Sequence, residues 1–147
     1  MMVALRVIER IHGHLGWLAV AALLHPAILL ANPRRRARLA VALAAGVVVV
    51  TAGLGVSVYP DYRTQLKPSI FATAPSLGWL FERKEHLAVG VVAFTLLGCV
   101  AHLALEAFEP GLRPHAARLA HRAFVVAFVL AAAVAVFGTA VASYKSF

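Results

Sequence analysis

The histidines are the side chains of this sequence that can do chemistry. The chain has 147 residues, of which 62% are hydrophobic and seven are histidines. Imidazole is a good ligand for iron, copper and zinc. Ionisable side chains in a membrane usually face the interior of a bundle or a cavity. Five histidines within or at the start of long apolar runs are therefore candidate ligands of a haem or a metal ion: His14, His25, His86, His102 and His121.

Counting along the chain places these histidines in two layers. His25 lies seven residues before the Asn-Pro pair that ends its run, and His102 and His121 lie nine and ten residues from the turn that joins the third and fourth runs. At about 1.5 Å per residue, all three lie roughly 10–15 Å from one membrane face. His14 and His86 form a second layer near the other face. The first layer predicts either a haem b held by two of its rings on facing helices or a single metal ion held by all three, with a second site at His14 and His86.

A polar packing network is the alternative for the same histidines. His14 and His25 are eleven residues apart and share a helix face, but His86 and His102 are sixteen apart, or about 160° around a helix. The spacing on the third run therefore argues against two regularly stacked haems. We expect the ring of His25 to point into the bundle, because a bare imidazole N–H in hydrocarbon costs several kcal/mol. Its nearest polar groups at that depth are His102 and His121.

Four apolar runs must position these side chains. Each run is long enough to cross a bilayer core of about 30 Å. They predict an all-α, up-down bundle of four transmembrane helices in a single membrane domain, 1–147, with both termini on one face. Prolines predict the helix ends after Asn32 and Tyr59, and Glu109-Pro110-Gly111 predicts a tight hairpin turn. The predicted helices are 7–31, 39–58, 86–107 and 116–142.

The net charge of +8 does not indicate nucleic acid as a partner. The basic residues flank the apolar runs, where they anchor helix ends at lipid headgroups, so the bilayer is the predicted partner. We name the face with both termini and the 59–85 segment side A, and the opposite face side B. Side B has its arginines in short loops, among them Arg34, Arg35, Arg36 and Arg38. The positive-inside rule therefore favours a cytoplasmic side B, with the termini and the 59–85 loop periplasmic.

The 59–85 segment is a long connection with aromatic and charged residues. Its composition predicts an ordered loop that caps side A. Asp61, Arg63, Glu82, Lys84 and Glu85 form a candidate polar site within it. Arg63 or Lys84 is expected within salt-bridge distance of an acidic neighbour. Such a cluster either staples the loop through ion pairs or binds an anion through Arg63.

Two short patterns carry a resemblance. Tyr59-Pro60-x-Tyr62-Arg63, followed by Phe81-Glu82-x-Lys84-Glu85-His86 at the start of an apolar run, resembles a small four-helix bacterial membrane family of unassigned function. This resemblance implies a bacterial inner membrane. The placement of histidines at two depths on four helices resembles the small di-haem b-type membrane cytochromes. That architecture implies haem b, electron transfer and other membrane redox subunits as partners.

The sequence thus leaves two functions open. The first is a redox protein with a haem b or a metal ion at the buried histidines. The second is a non-catalytic membrane subunit or scaffold, whose histidines are packing groups and whose side A cap binds a partner. A haem absorption band would support the first, and a colourless, metal-free and folded protein would support the second.

Overall fold

The computed structural model describes residues 2–32, 35 and 37–144, and all regular structure in this part of the chain is helical. Four helices in it are long and apolar enough to cross a membrane: Val7–Leu29, Arg38–Thr73, Pro75–Leu103 and Arg113–Ser143. The predicted all-α bundle with four spanning helices is confirmed. Arg34 and Arg36, on which part of the orientation argument rests, lie outside the described residues.

The elements follow one another along the chain with short connections. They are α1 (Met2–Leu29), α2 (Arg38–Asp61), a π-helix (Tyr62–Leu66), α3 (Lys67–Thr73), α4 (Pro75–Leu103), a 3₁₀ turn (Leu105–Ala107) and α5 (Arg113–Tyr144). α1 contacts α2 and α5, and α4 contacts the same two helices. α1 and α4 therefore lie diagonally opposite each other. α3 packs on α4 at side A.

The antiparallel order is visible in the contacts between α4 and α5. A Cβ built at Gly90 would meet Leu130, one at Gly98 would meet Phe124, and one at Gly138 would meet Lys84. Trp17 donates a hydrogen bond to Thr139 at 3.3 Å, which joins the first half of α1 to the last part of α5. Both termini therefore lie on side A, as the up-down order requires.

The second helix does not end before Pro60, as the sequence predicted. α2 includes Pro60 and continues directly into the π-helix. Pro60 removes one backbone donor from the helix. Two residues later, the N–H of Tyr62 bonds the carbonyls of Val58 and Tyr59, so the helical hydrogen bonds resume after the proline. Wider π turns accommodate such an interruption without ending the helix.

The 59–85 segment is ordered, as predicted, but it is helix and not loop. After α3 the chain turns at Ala74, and α4 begins at Pro75, well before the predicted start at 86. Proline is favoured in a first turn because its missing N–H has no partner there. A small apolar cluster of Ile70, Phe81 and Val141 holds the segment on the bundle.

Small side chains fill the centre of the bundle. Phe124 and Leu23 are fully buried there, and they are surrounded mostly by alanines and valines. Small residues let membrane helices approach closely. Gly98 shows this directly, because a Cβ there would lie 2.9 Å from the Phe124 ring.

Candidate functional site

The side B end of α4 and α5 contains buried imidazoles without partners. His102 is 6% exposed. Neither of its ring nitrogens has a hydrogen-bond partner in the described residues, and Nδ1 of the half-buried His121 also has none. Buried polar atoms are rarely left unpaired, because each costs about 1–3 kcal/mol. These unpaired nitrogens therefore indicate a ligand or ordered water at this place.

The packing of α4 on α5 places the two rings at one level. Gly98 lies against Ala123 and Phe124. His102 is one turn further along α4 towards side B, which in an antiparallel pair corresponds to one turn back along α5. Ala120 occupies that position and is fully buried. His121 is its neighbour, so the predicted common depth of His102 and His121 agrees with the packing. We call this pair the side B imidazole pair.

Charged groups lie beside the pair at the membrane boundary. Arg38, the first residue of α2, forms a salt bridge of 2.6 Å with Glu106 in the turn after α4. The Arg38 charge also acts electrostatically on His102. Both members of the salt bridge are exposed, with 59% and 81% of their side-chain surface accessible. A salt bridge this open to solvent contributes little stability, and the Glu106 carboxylate offsets the charge of Arg38.

His25 does not join this pair, which corrects the prediction that its ring points into the bundle. His25 is exposed and lines a groove between α1 and α2. The inward positions around it are taken by Leu23, Pro26 and Ala27. Within the described residues, no three His, Cys, Asp or Glu side chains lie close enough to hold a metal ion. The three-histidine metal layer is therefore not formed within one chain.

The predicted second layer is not assembled either. His14 and His86 are both exposed. Each uses Nδ1 to bond a backbone carbonyl four residues earlier, Arg10 for His14 at 2.7 Å and Glu82 for His86 at 2.8 Å. They lie on α1 and α4, which are diagonal in the bundle, and their rings turn outward. A haem between them inside one chain has no support in this arrangement.

His12 is a structural residue that the sequence analysis did not select. Its ring is half-buried between α1 and α2, and Nδ1 bonds the carbonyl of Thr51 at 3.0 Å. Gly55 leaves the space for the ring, since a Cβ there would lie 2.9 Å from its Cε1. The sequence signal for this contact is Gly55 on the neighbouring helix. Residue spacing alone does not show which histidine a glycine on another helix contacts.

The side A polar site forms, but with a different cation. Lys67 of α3 makes the salt bridge to Glu82, and both side chains are about a quarter exposed, 23% and 25%. Arg63, the predicted cation, is exposed. The π-helix turns Arg63 outward and brings Lys67 over α4. Neither Arg63 nor Lys84 forms a salt bridge with a described acidic residue, so that prediction was wrong.

Lys84, another member of the side A site, lies over the ring of Phe81. This ring is buried, stacks on Tyr62 with centroids 5.7 Å apart, and has the Lys84 Nζ 4.7 Å from its centroid. Tyr59 donates a long hydrogen bond of 3.5 Å to Glu85 Oε2, while Glu85 Oε1 is buried without a partner among the described residues. Asp61 is half-buried and makes no salt bridge to a described residue. Together with the salt bridge between Lys67 and Glu82, these contacts join α2, the π-helix and α3 to α4.

Comparison with known proteins adds no identity. No protein-family model, curated protein or solved structure matches this chain.

Proposed function

We propose that this chain is a small integral membrane protein that holds a metal centre at His102 and His121 and serves electron transfer within the membrane. The observation that carries the proposal is the set of buried and unpartnered ring nitrogens on these two residues. A pair of imidazoles at one depth on neighbouring helices supplies two ligands to a transition metal. Copper and iron, which imidazole binds well, change valence and so carry electrons.

The packing of α4 on α5 favours a bare metal ion over a haem in this pair. A haem ligated from both faces by His102 and His121 requires the two helices to stand apart by the width of the porphyrin plane and both rings. Here Gly98 and Phe124 are in closer contact than a Cβ would allow. The pair therefore fits an ion whose further ligands are water or groups of a partner subunit. A haem b bound by one imidazole of this chain is the other form of the same iron-imidazole chemistry.

The surroundings of the pair suit an electron-transfer centre. The ring of His102 is almost completely shielded from solvent, which keeps a bound metal away from water. Its depth near side B leaves a short distance to a redox partner at that membrane face.

The test is metal analysis and an absorption spectrum of the purified protein in detergent. We expect a bound transition metal in stoichiometric amount. We expect it to fall by about tenfold or more in His102→Ala and His121→Ala, a loss of the size seen when supports of a metal site are removed. His115→Ala is the matched control, because His115 lies near the start of α5 but is exposed.

The possible outcomes separate the proposal from its alternatives. A Soret band that His102→Ala abolishes identifies the centre as haem b; loss of the band in His121→Ala as well indicates ligation by both imidazoles, which requires the helices to separate. A colourless, metal-free protein that is folded, and whose melting temperature copper, zinc and iron ions leave unchanged, overturns the proposal.

The second candidate is a non-catalytic membrane subunit or scaffold. The observation that favours it is the bonding of His12, His14 and His86 to backbone carbonyls, as expected for packing groups. In this case the buried rings of His102 and His121 bond ordered water, and the side A segment binds a partner. The metal-free outcome of the same experiment supports this function.

A further inference from the structure

The outer face of α1 has a regular pattern that the bundle does not use. A stripe of exposed residues runs along α1 at spacings that alternate between three and four. We call it the α1 seam; its central members are Ile11, His14, Leu18, Ala21, His25 and Ile28. This spacing marks the positions that face a partner helix in a left-handed coiled coil.

The seam differs from the exposed surfaces of α2, which neighbours α1, and of α4, which lies diagonal to it. Every exposed residue of α2 between Leu39 and Val56 is apolar or glycine, and every exposed residue of α4 between Val89 and Leu103 is apolar. The α1 seam instead presents two imidazoles, those of His14 and His25. Polar side chains at membrane depth face other protein or water in most cases, since hydrocarbon offers them no hydrogen bond.

Both histidines of the seam are available to a partner. His14 is exposed and uses Nδ1 on its own helix, and its Nε2 has no hydrogen bond to a described residue. His25 has no hydrogen bond to any described residue. His14 lies on a strip of the α1 surface with Val7 and Ile11, and His25 borders a groove between α1 and α2. A side chain of a second helix can enter this groove.

We propose that the α1 seam is the contact surface of a symmetric dimer, in which α1 packs in parallel against α1 of a second copy of this chain. Copies of one membrane protein insert in the same orientation, so a two-fold axis along the membrane normal brings each seam position against itself. Leucine then meets leucine and histidine meets histidine. A neutral imidazole has one donor and one acceptor nitrogen, so two copies of His25 can bond each other. The seam is therefore complementary to itself.

A polar pair in such a seam fixes the register of the two helices. A single polar residue at a core position of a coiled coil selects register and partner number. Here two pairs lie eleven residues apart, about 16 Å along the axis. They match only when both helices are aligned without a shift. The small side chain of Ala21 between them allows close approach of the backbones.

The experiment is disulfide crosslinking in membranes that contain the full chain. The single cysteine, Cys99, is replaced by alanine, and one new cysteine is introduced per variant. We expect dimer bands for Leu18→Cys and Ala21→Cys. The control is Val89→Cys, because Val89 is 70% exposed and lies on α4, diagonal to α1. Equal crosslinking at all three positions, or none at any, overturns the proposal.

A second measurement tests the imidazole pair without relying on crosslinking. The dimer dissociation constant is measured by fluorescence energy transfer in detergent micelles for the original chain and for His25→Leu. We expect His25→Leu to weaken the dimer about five- to tenfold, the size of a hydrogen bond between membrane helices. An unchanged or tighter dimer in His25→Leu contradicts the pairing. Because His25 lies outside the side B imidazole pair, metal binding is expected to stay unchanged, so the two proposals fail separately.

Discussion

The close contact of Gly98 with Phe124 sets the separation of α4 and α5, and Gly98→Ala tests it. The added Cβ would lie 2.9 Å from Cδ2 and Cε2 of Phe124 and 3.3 Å from the Cβ of Ala123. An ordinary van der Waals contact begins at 3.4 Å, so the Cβ and the Phe124 ring would have to move apart by about half an ångström. The Phe124 ring is fully buried, so either the ring or a whole helix must shift. Overpacking of this kind costs about 1–3 kcal/mol.

A second glycine provides the matched control. A Cβ at Gly46 of α2 meets nothing within 4 Å. Gly98→Ala and Gly46→Ala both gain the helix preference of alanine, about 1 kcal/mol, so the difference between them isolates the steric contact. We expect Gly98→Ala to have the lower free energy of unfolding, by about 1–3 kcal/mol. The assay is SDS titration in micelles followed by circular dichroism, and equal stability of the two variants would refute the reasoning.

The same titration checks two further predictions about charged residues. Glu82→Gln should lower the free energy of unfolding by about 1–3 kcal/mol, because it breaks a largely shielded salt bridge to Lys67. Glu106→Gln removes the exposed partner of Arg38 and should lower it by only about 0–1 kcal/mol. Similar losses in both variants would contradict the argument from burial. Arg63→Ala should change stability by less than about 0.5 kcal/mol, as for an exposed residue away from special features, and a larger loss would show a contact that the structure lacks.

The number of spans and their order could be predicted from the sequence because both depend on length and composition. A break near Pro110-Gly111 was also predictable, since proline and glycine both favour one, but α4 ends at Leu103, earlier than the predicted 107. The end of the second helix was not. Pro60 argued for a stop, but the choice between a stop and a π-helix depends on what the following residues pack against. Tyr62 stacks on Phe81, and this contact holds the chain in helix beyond the proline.

The directions of the histidines could not be predicted for a different reason. Depth follows from counting residues, and the packing of Gly98 against Phe124 is compatible with one depth for His102 and His121. Direction depends on which side of each helix faces the bundle. In a soluble helix the apolar face reveals this, but a membrane helix is apolar on the lipid side as well. We predicted that the His25 ring points inward because an unpaired imidazole N–H in hydrocarbon is energetically costly, but the structure places it on the outer surface of α1.

The same physical rule applies to His25, which is exposed, to His102, which is buried, and to His121, which is half-buried. An imidazole at membrane depth needs a polar partner, and in neither place does a described residue supply one. Where the ring is enclosed by α4 and α5, the partner must be small enough to enter the bundle, which points to a metal ion or water. Where the ring lies on the surface of α1, the partner must come from another chain. The depth of each histidine thus indicates that it needs a polar partner, and the packing of the helices around its ring determines whether that partner is a small group or another chain.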